Sequence, residues 1–94
     1  MKYIRVKWNH NNPDEPVWLF SELDLEGKEL RKIECFKNGF CDFATKEDSS
    51  GSTKLSTQFL PTLATLARDP EFTPVEITKE EFEEVWTKRR YKAG

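Results

Sequence analysis

The stretch CFKNGFCD at residues 35–42 places an Asn38-Gly39 pair between two β-like runs. Both residues of the pair tolerate the positive φ angles of a type I′ turn, so they predict a β-hairpin with a two-residue loop. In that register Phe36 lies opposite Cys41. Cys35 and Cys41 then point to opposite faces of the sheet and cannot form a disulfide, which predicts reduced thiols.

The chain before this hairpin predicts the earlier strands of an antiparallel meander. Tyr3 to His10 alternates hydrophobic with polar or charged side chains, which indicates one core face and one charged face. Val17 to Leu23 has bulky side chains on both sides, and Glu29 to Lys37 leads into the hairpin. Residues 9–16 are rich in turn formers and connect the first two strands.

Two helices are predicted after the strands. Thr78, with Glu81 three positions later, forms a capping box, and the apolar residues that follow recur at helical spacing. Residues 61–68 predict a short helix that ends before Pro70. Its predicted buried stripe consists of Leu63, Leu66 and Ala67. Between the helices, Val75 to Ile77 is either a short strand or an extended connector.

Together these patterns predict an α+β fold. An antiparallel sheet of about four strands, in a meander, is packed by a short helix and by a C-terminal amphipathic helix. The 94 residues suffice for one hydrophobic core, which predicts a single domain over residues 1–94. The small polar residues at about 46–55 predict a mobile Ser-rich loop, and residues at about 90–94 predict a frayed tail.

The composition argues against several classes of protein. The net charge is −2 at pH 7, so the chain lacks the basic excess that drives non-specific binding to nucleic acid or anionic membranes. The N-terminus alternates charged with hydrophobic residues where a signal peptide needs an apolar run. No stretch approaches the roughly 20 apolar residues of a membrane span. These features predict a cytoplasmic protein.

No arrangement in the sequence matches a catalytic, metal or cofactor site. His10 is the only histidine and has no nucleophile motif beside it, so a hydrogen bond that anchors the loop is its favoured role. Cys35 and Cys41 lack the spacing of redox or zinc sites. Glu22 and Asp24 stand two apart at a strand end, which is typical of a solvated edge. The sequence therefore predicts no enzyme, no cofactor and no metal.

An acidic block surrounds the second predicted strand. From Asp14 through Glu34 there are seven acids and three bases, a local balance of −4. Carboxylates around aromatic anchors are typical of a hot-spot interface with a basic protein. The predicted partner-binding residues are Asp14, Glu15, Trp18, Phe20, Glu22, Asp24 and Glu26. In the alternative, Trp18 and Phe20 are core residues beneath the C-terminal helix, and the bulk on both sides of the strand leaves both interpretations open.

A nucleic-acid-binding or regulatory module is the second, less favoured interpretation. It would use cationic and aromatic side chains of the sheet, namely Arg5, Lys7, Arg31, Lys32, Trp8, Trp18 and Phe20. The glutamates interleaved with them would repel phosphate. An enzymatic alternative through His10, Glu22 and Arg31 rests on residue types alone.

Several segments together resemble a known family. They are residues 3–10, 16–23, 29–36 and the pair 38–39 in the strand-rich half, and residues 60–63, 69–72 and 77–86 in the helical half. They resemble a family of small bacterial domains of unknown function. The resemblance implies a bacterial source and a stand-alone domain, and it brings no established activity. It also marks the secondary candidates for a functional role, which are Trp8, His10, Arg31 and Lys32, together with Glu22.

We therefore expect a small cytoplasmic protein-binding domain whose partner is a basic protein. The most concrete form of this hypothesis is an immunity protein that neutralises a bacterial toxin. The toxin would be a nuclease or similar enzyme, whose basic active-site surface the acidic block would cover. Small size, mild acidity and the acidic block motivate the hypothesis. No membrane partner is expected.

Overall fold

The computed structural model describes residues 1–89, and a five-stranded antiparallel sheet forms its centre. The strands are β1 (Lys2–Trp8), β2 (Trp18–Leu23), β3 (Glu29–Cys35), β4 (Cys41–Ala44) and β5 (Phe72–Ile77). They lie side by side in the order β4-β3-β2-β1-β5. The α+β class and the β1–β4 meander are confirmed. The prediction of about four strands was one short, because β5 returns to the sheet beside β1.

Of the two alternatives left open for Val75 to Ile77, the structure shows the strand, which begins at Phe72 and contains Pro74. The sheet geometry explains why the strand tolerates this proline. The backbone N–H of Asn9 donates to the carbonyl of Glu71 at 2.7 Å, which continues the ladder between β1 and β5. Hydrogen-bonded positions alternate along an antiparallel pair, so Pro74 falls where an N–H would point away from β1. The strand loses no ladder bond there. The proline also denies a donor to any further strand at this edge.

Both faces of the sheet are covered. The helix α2 (Lys79–Thr87) packs on one face, where Phe82 contacts a cluster that includes Tyr3 and Phe20. The helix α1 (Leu63–Leu66) and Leu60 pack on the other face against β1 and β2. The side of β1 expected to be charged and open therefore carries a buried residue, because α2 covers Tyr3.

The helix α2 begins as predicted, whereas α1 is shorter than the predicted span of residues 61–68 and its buried stripe needs one correction. Thr78 Oγ1 accepts from the Glu81 N–H at 3.1 Å, and the Glu81 side chain accepts from the Thr78 N–H at 3.0 Å, which confirms the capping box. The bond from the Thr78 backbone N–H is the main cause that lowers the pKa of the Glu81 carboxyl, and the Thr78 side chain lowers it further. In α1, Leu63 and Leu66 are half-buried, whereas Ala67 is exposed because the helix ends at residue 66.

The hairpin loop contains three residues, and this changes the expected pairing by one position. Phe36 N–H donates to the Phe40 carbonyl at 2.9 Å, and Gly39 takes a positive φ of 93°. This pattern is typical of a type I turn followed by a bulge residue in the left-handed region. Cys35 therefore lies opposite Cys41 with a Cα–Cα distance of 4.0 Å, and the two form a disulfide. The prediction of reduced thiols on opposite faces was wrong for that reason.

The Ser-rich segment has specific contacts with the sheet. Ser50 is buried and its hydroxyl donates to Asp42 at 2.9 Å. Thr53 is also buried and donates to Glu34 at 2.6 Å. The mobility expected for residues 46–55 stays a prediction, and these two bonds mark where the segment is attached. The frayed tail predicted at 90–94 lies outside the described residues.

Candidate binding sites

A largely buried polar network joins β1, β2, β3 and α2 beneath the helix. Arg31 donates to both carboxylate oxygens of Glu22, at 2.7 and 2.9 Å, and to Glu83 at 2.5 Å. Its guanidinium also lies over the ring of Phe82 on α2, 4.8 Å from the centroid. The Tyr3 hydroxyl donates to Glu22 at 2.8 Å. We call these residues the Arg31 network.

The electrostatics of this network follow from its hydrogen bonds. The bonds from Arg31 lower the pKa of the Glu22 carboxyl, against the opposing effect of burial. Burial raises the pKa of the Tyr3 hydroxyl, and its bond to Glu22 raises it further. The pKa of Arg31 is raised as well, chiefly by its bond to Glu22. Each charge faces a partner, so the network cross-links four elements of the fold, namely β1, β2, β3 and α2.

The position of Glu22 in the structure corrects one prediction made from the sequence. It was taken for a solvated carboxylate at a sheet edge, but β2 is the central strand and Glu22 is only 8% exposed. Phe20 is also 8% exposed and Trp18 is half-buried beside it, so the core interpretation of this side of β2 is the one that the structure shows. Neither Phe20 nor Glu22 offers a contact surface to a partner in this structure.

The predicted cationic surface is divided between the two faces of the sheet. Arg31 belongs to the network under α2, whereas Lys32 points to the opposite face, as adjacent strand residues do. There Lys32 Nζ lies 3.9 Å from carboxylate oxygens of both Glu29 and Glu34. Glu29 is itself buried and accepts from the Ser21 hydroxyl at 2.6 Å. Arg31 and Lys32 are therefore engaged internally and do not share a surface.

The acids of the predicted set that are not buried separate into two groups. Asp14 and Glu15 lie in the loop before β2, and Asp24 and Glu26 lie in the turn after it. A strand of six residues is about 17–20 Å long, so the two groups stand at opposite ends of the sheet. The structure does not bring the seven predicted partner-binding residues together on one surface.

A groove occupies the end of the sheet where the β2–β3 turn meets the segment before α1. It has a volume of about 440 Å³, and its walls combine apolar and acidic side chains. Those used below are Met1, Leu25, Leu60, Asp24, Glu26 and Glu76. The Leu60 N–H donates to the Gly27 carbonyl at 3.0 Å, which attaches the two walls to each other. We call this the turn groove.

Leu25 gives the turn groove its distinctive surface. It is 95% exposed, and Met1 beside the same groove is 71% exposed. Asp24 holds the turn, because its Oδ1 accepts from the N–H groups of Glu26 and Lys28 at 2.9 Å each. Sequence reasoning found the acids here but missed Leu25. The sequence does indicate it, because a single leucine between two acids in a predicted turn is too far from the core to be buried.

A second cleft lies at the opposite end of the sheet, where β1 ends and β2 begins. It has a volume of about 550 Å³. Aromatic, cationic and amide side chains line it, principally Lys7, Lys37, Trp8, Trp18, Asn9 and Asn11. We call it the tryptophan cleft. Lys37 reaches it from the β3–β4 hairpin, a position that the sequence did not indicate.

His10 forms part of the wall of this cleft and holds the adjoining loop. One ring nitrogen, Nε2, lies 2.8 Å from the Pro16 carbonyl, and the other, Nδ1, accepts from the Asn12 N–H at 3.0 Å. Nε2 is therefore the protonated nitrogen and donates to the carbonyl. This is the loop-anchoring bond expected from the sequence. His10 and the Arg31 network stand towards opposite ends of β2, so the three residues of the enzymatic alternative do not assemble.

Two further observations bear on the class of protein. Within residues 1–89, the structure groups no three His, Cys, Asp or Glu side chains that could hold a metal ion. In the same part of the chain, neither helix has the length and apolar character needed to cross a membrane.

Comparison with known proteins adds a family and no activity. The model of a family described as "Domain of unknown function (DUF6881)" matches residues 2–91, which is nearly the whole chain. No curated protein and no solved structure matches the chain.

Proposed function

Because the chain belongs to the DUF6881 family, whose description assigns no activity, we propose its function from its own surface. It is a small protein-binding domain that captures a basic protein partner at the turn groove. The concrete form of the proposal is an immunity protein that neutralises a bacterial toxin, such as a nuclease, by occluding a basic surface. It acts by binding, without catalysis, and in the cytoplasm.

The combination of Leu25 with carboxylates in one groove carries the proposal. Leu25 is the most exposed large hydrophobic side chain in residues 1–89. Burying it fully against a partner contributes about 1.5–3 kcal/mol, the scale of an interface hot spot. Asp24, Glu26 and Glu76 line the same groove, with Lys2 as the opposing charge. An apolar anchor beside a predominantly acidic rim matches a basic protein surface and steers it during approach.

This proposal moves the contact surface that the sequence suggested. Asp24 and Glu26 remain in it, Leu25 and Met1 replace Trp18 and Phe20 as apolar anchors, and Glu22 leaves it for the interior. The carboxylates Asp14 and Glu15 stand at the other end of β2, so a partner of ordinary size would reach them only by spanning the sheet.

The proposed compartment makes the state of the cysteines informative. The structure pairs Cys35 with Cys41, whereas disulfides are rare in the cytosol, where thiols are kept reduced. Thiol titration of protein isolated from its native cells under alkylating conditions separates the two cases. Free thiols support the cytoplasmic proposal, and a bridge in freshly isolated protein contradicts it.

Binding to the product of the adjacent gene, measured by calorimetry, tests the function. Leu25→Ser is expected to weaken the complex at least about tenfold, which corresponds to about 1.4 kcal/mol. Glu26→Gln with Glu76→Gln should slow association and reduce its salt dependence. Asp24 is left intact because it holds the turn.

Phe40→Ser supplies the matched control, since Phe40 is 55% exposed and lies in the β3–β4 hairpin at the other end of the sheet. It should leave the affinity unchanged. A complex that tolerates Leu25→Ser, or that is lost with Phe40→Ser, contradicts the groove as the interface. Failure to bind any neighbouring toxin contradicts the immunity role.

The nucleic-acid alternative loses two of its cations. Arg31 and Lys32 are held by carboxylates on opposite faces of the sheet. Arg5 and Lys7 lie over the Trp18 ring, 5.3 and 5.5 Å from its centroid. A gel-shift titration across salt concentrations tests a sheet-wide nucleic-acid surface, and the absence of salt-sensitive binding excludes it.

A further inference from the structure

The tryptophan cleft has the size and the lining of a small-molecule site. Its volume of about 550 Å³ falls within the 300–1,000 Å³ usual for ligand pockets. It is distinct from the turn groove, because β2 separates them along its full length. Its lining also differs in kind, because Lys7 and its cross-strand partner Trp18 border it from the α2 side of the sheet and Trp8 borders it from the other side. Lys37 borders it from the β3–β4 hairpin.

The rings of the cleft are held in place before any ligand arrives. The Trp8 indole N–H donates to Glu71 at 3.0 Å, its ring meets the edge of His10 at a centroid distance of 4.5 Å, and Phe72 lies 6.1 Å away. On the other side, Trp18 stacks beside Phe20 at 6.4 Å. Such supporting contacts reduce the ordering that binding requires.

The charge of the cleft is opposite to that of the chain as a whole. Lys7 and Lys37 both line it, and no carboxylate is among its lining residues within the described part of the chain. Neither ammonium group forms an ion pair in residues 1–89, and Lys7 rests over the Trp18 ring instead. Glu71 is bonded to the Trp8 indole and does not line the cleft.

We propose that the tryptophan cleft binds a nucleoside phosphate. The base stacks on an indole face, the phosphate lies between Lys7 and Lys37, and the amides of Asn9 and Asn11 bond the edge of the base. A neutral sugar would leave both ammonium groups without a counter-charge. The carboxylate side chains of an acidic peptide would supply the charge, but they carry no planar ring for the indoles to stack on. The unit could be a free nucleotide or a residue of a single strand, which the test distinguishes.

The indole N–H signals in a two-dimensional ¹⁵N NMR spectrum report on the site directly. Trp8 and Trp18 line the cleft, whereas Trp86 belongs to α2, packs against the core outside the cleft and serves as the internal reference. Titration with adenosine monophosphate should shift the first two signals saturably with a Kd of about 1 mM or lower, and leave the third in place. Adenosine alone and inorganic phosphate alone should each bind at least about tenfold more weakly, because each offers half of the contacts.

Charge variants complete the test. The double substitution Lys7→Gln with Lys37→Gln should weaken nucleotide binding at least about tenfold. The matched double substitution Lys28→Gln with Lys46→Gln, at exposed lysines outside the cleft, should leave it unchanged. An octaadenylate presents eight nucleotides, so independent binding of each would raise the apparent affinity about eightfold over the mononucleotide. A larger increase identifies a single strand as the source, and an increase of about eightfold identifies the free nucleotide.

Three outcomes overturn the proposal. They are the absence of saturable shifts at Trp8 and Trp18, phosphate that binds as tightly as the nucleotide, and full binding by the Lys7 and Lys37 variant. None of them bears on the turn groove, so this inference and the proposed function fail separately.

Discussion

Arg31→Ala is expected to lower the free energy of unfolding by about 3 kcal/mol, because it leaves Glu22 buried without its counter-charge. The side chains of Arg31 and Glu22 are 20% and 10% exposed, so their two bonds are only partly screened by water. The third bond, to Glu83, contributes up to about 1 kcal/mol, since that carboxylate is 38% exposed. The estimate of about 3 kcal/mol is the whole cost of removing the Arg31 side chain, so it already includes this bond and the stacking over Phe82 and Trp86.

The estimate falls at the low end of the 3–5 kcal/mol typical of breaking a buried pair, because Tyr3 still donates to Glu22 in the variant. For a domain of this size the midpoint of thermal unfolding should fall by about 12–24 °C. Urea unfolding followed by tryptophan fluorescence at pH 7 measures the free energy directly. Arg68→Ala, at an exposed arginine outside the network, is the control and should change stability by less than about 0.5 kcal/mol.

The pH dependence separates this network from a general loss of packing. The pKa of Glu22 is lowered from an ordinary value of 4.5, so its stabilising contribution is complete above that value. The contribution is lost as the pH falls through the lower pKa of the folded state. The deficit of Arg31→Ala should therefore shrink towards pH 3. A deficit below about 1 kcal/mol at pH 7, or one that is equal at both pH values, would refute the reasoning.

Three smaller perturbations test other parts of the fold. The bridge between Cys35 and Cys41 closes a loop with a sequence separation of 6, and its reduction should lower the free energy of unfolding by about 2 kcal/mol. Urea unfolding with and without dithiothreitol measures the difference, and equal curves would show that the bridge does not constrain the unfolded chain. Tyr3→Phe should cost about 1 kcal/mol at pH 7 through the bond lost to Glu22. Because the pKa of Tyr3 is raised above 10.0, the wild-type protein should also lose stability as the pH rises past 10. If the stability of Tyr3→Phe falls just as steeply there, the loss does not come from the Tyr3 hydroxyl. Gly39→Ala should cost about 1 kcal/mol from backbone strain at φ 93°, since no atom lies within 4 Å of an added methyl group; a neutral result by calorimetry would place that turn in another conformation.

The elements that sequence reasoning located correctly are those defined by neighbours along the chain. The capping box needs only Thr78 and Glu81, three residues apart, and both of its hydrogen bonds are present. The loop anchor at His10 likewise joins residues within six positions. The meander follows from alternating patterns and short turns. In each case the partner group is close in sequence, so residue types are sufficient to predict the bond.

The errors occurred where one residue of register or one choice of face changes the outcome. A three-residue loop in place of a two-residue loop brought Cys35 opposite Cys41, because side chains alternate between faces with a period of two. The same alternation, together with α2, decided that Phe20 and Glu22 face inward. Bulk on both sides of β2 means that its residue types allow either face.

By itself, the sequence determined the fold class, the meander, the start of α2 and an acidic bias without a catalytic constellation. The tertiary structure alone decided the rest. It placed Glu22 and Arg31 inside, separated Asp14 and Glu15 from Asp24 and Glu26, and made two different sites at the ends of the sheet. The physical reason is how far apart in sequence the residues are whose interactions form each feature. Caps and turns depend on residues a few positions apart, whereas Lys7 and Lys37 share a cleft only because three strands pair in one register.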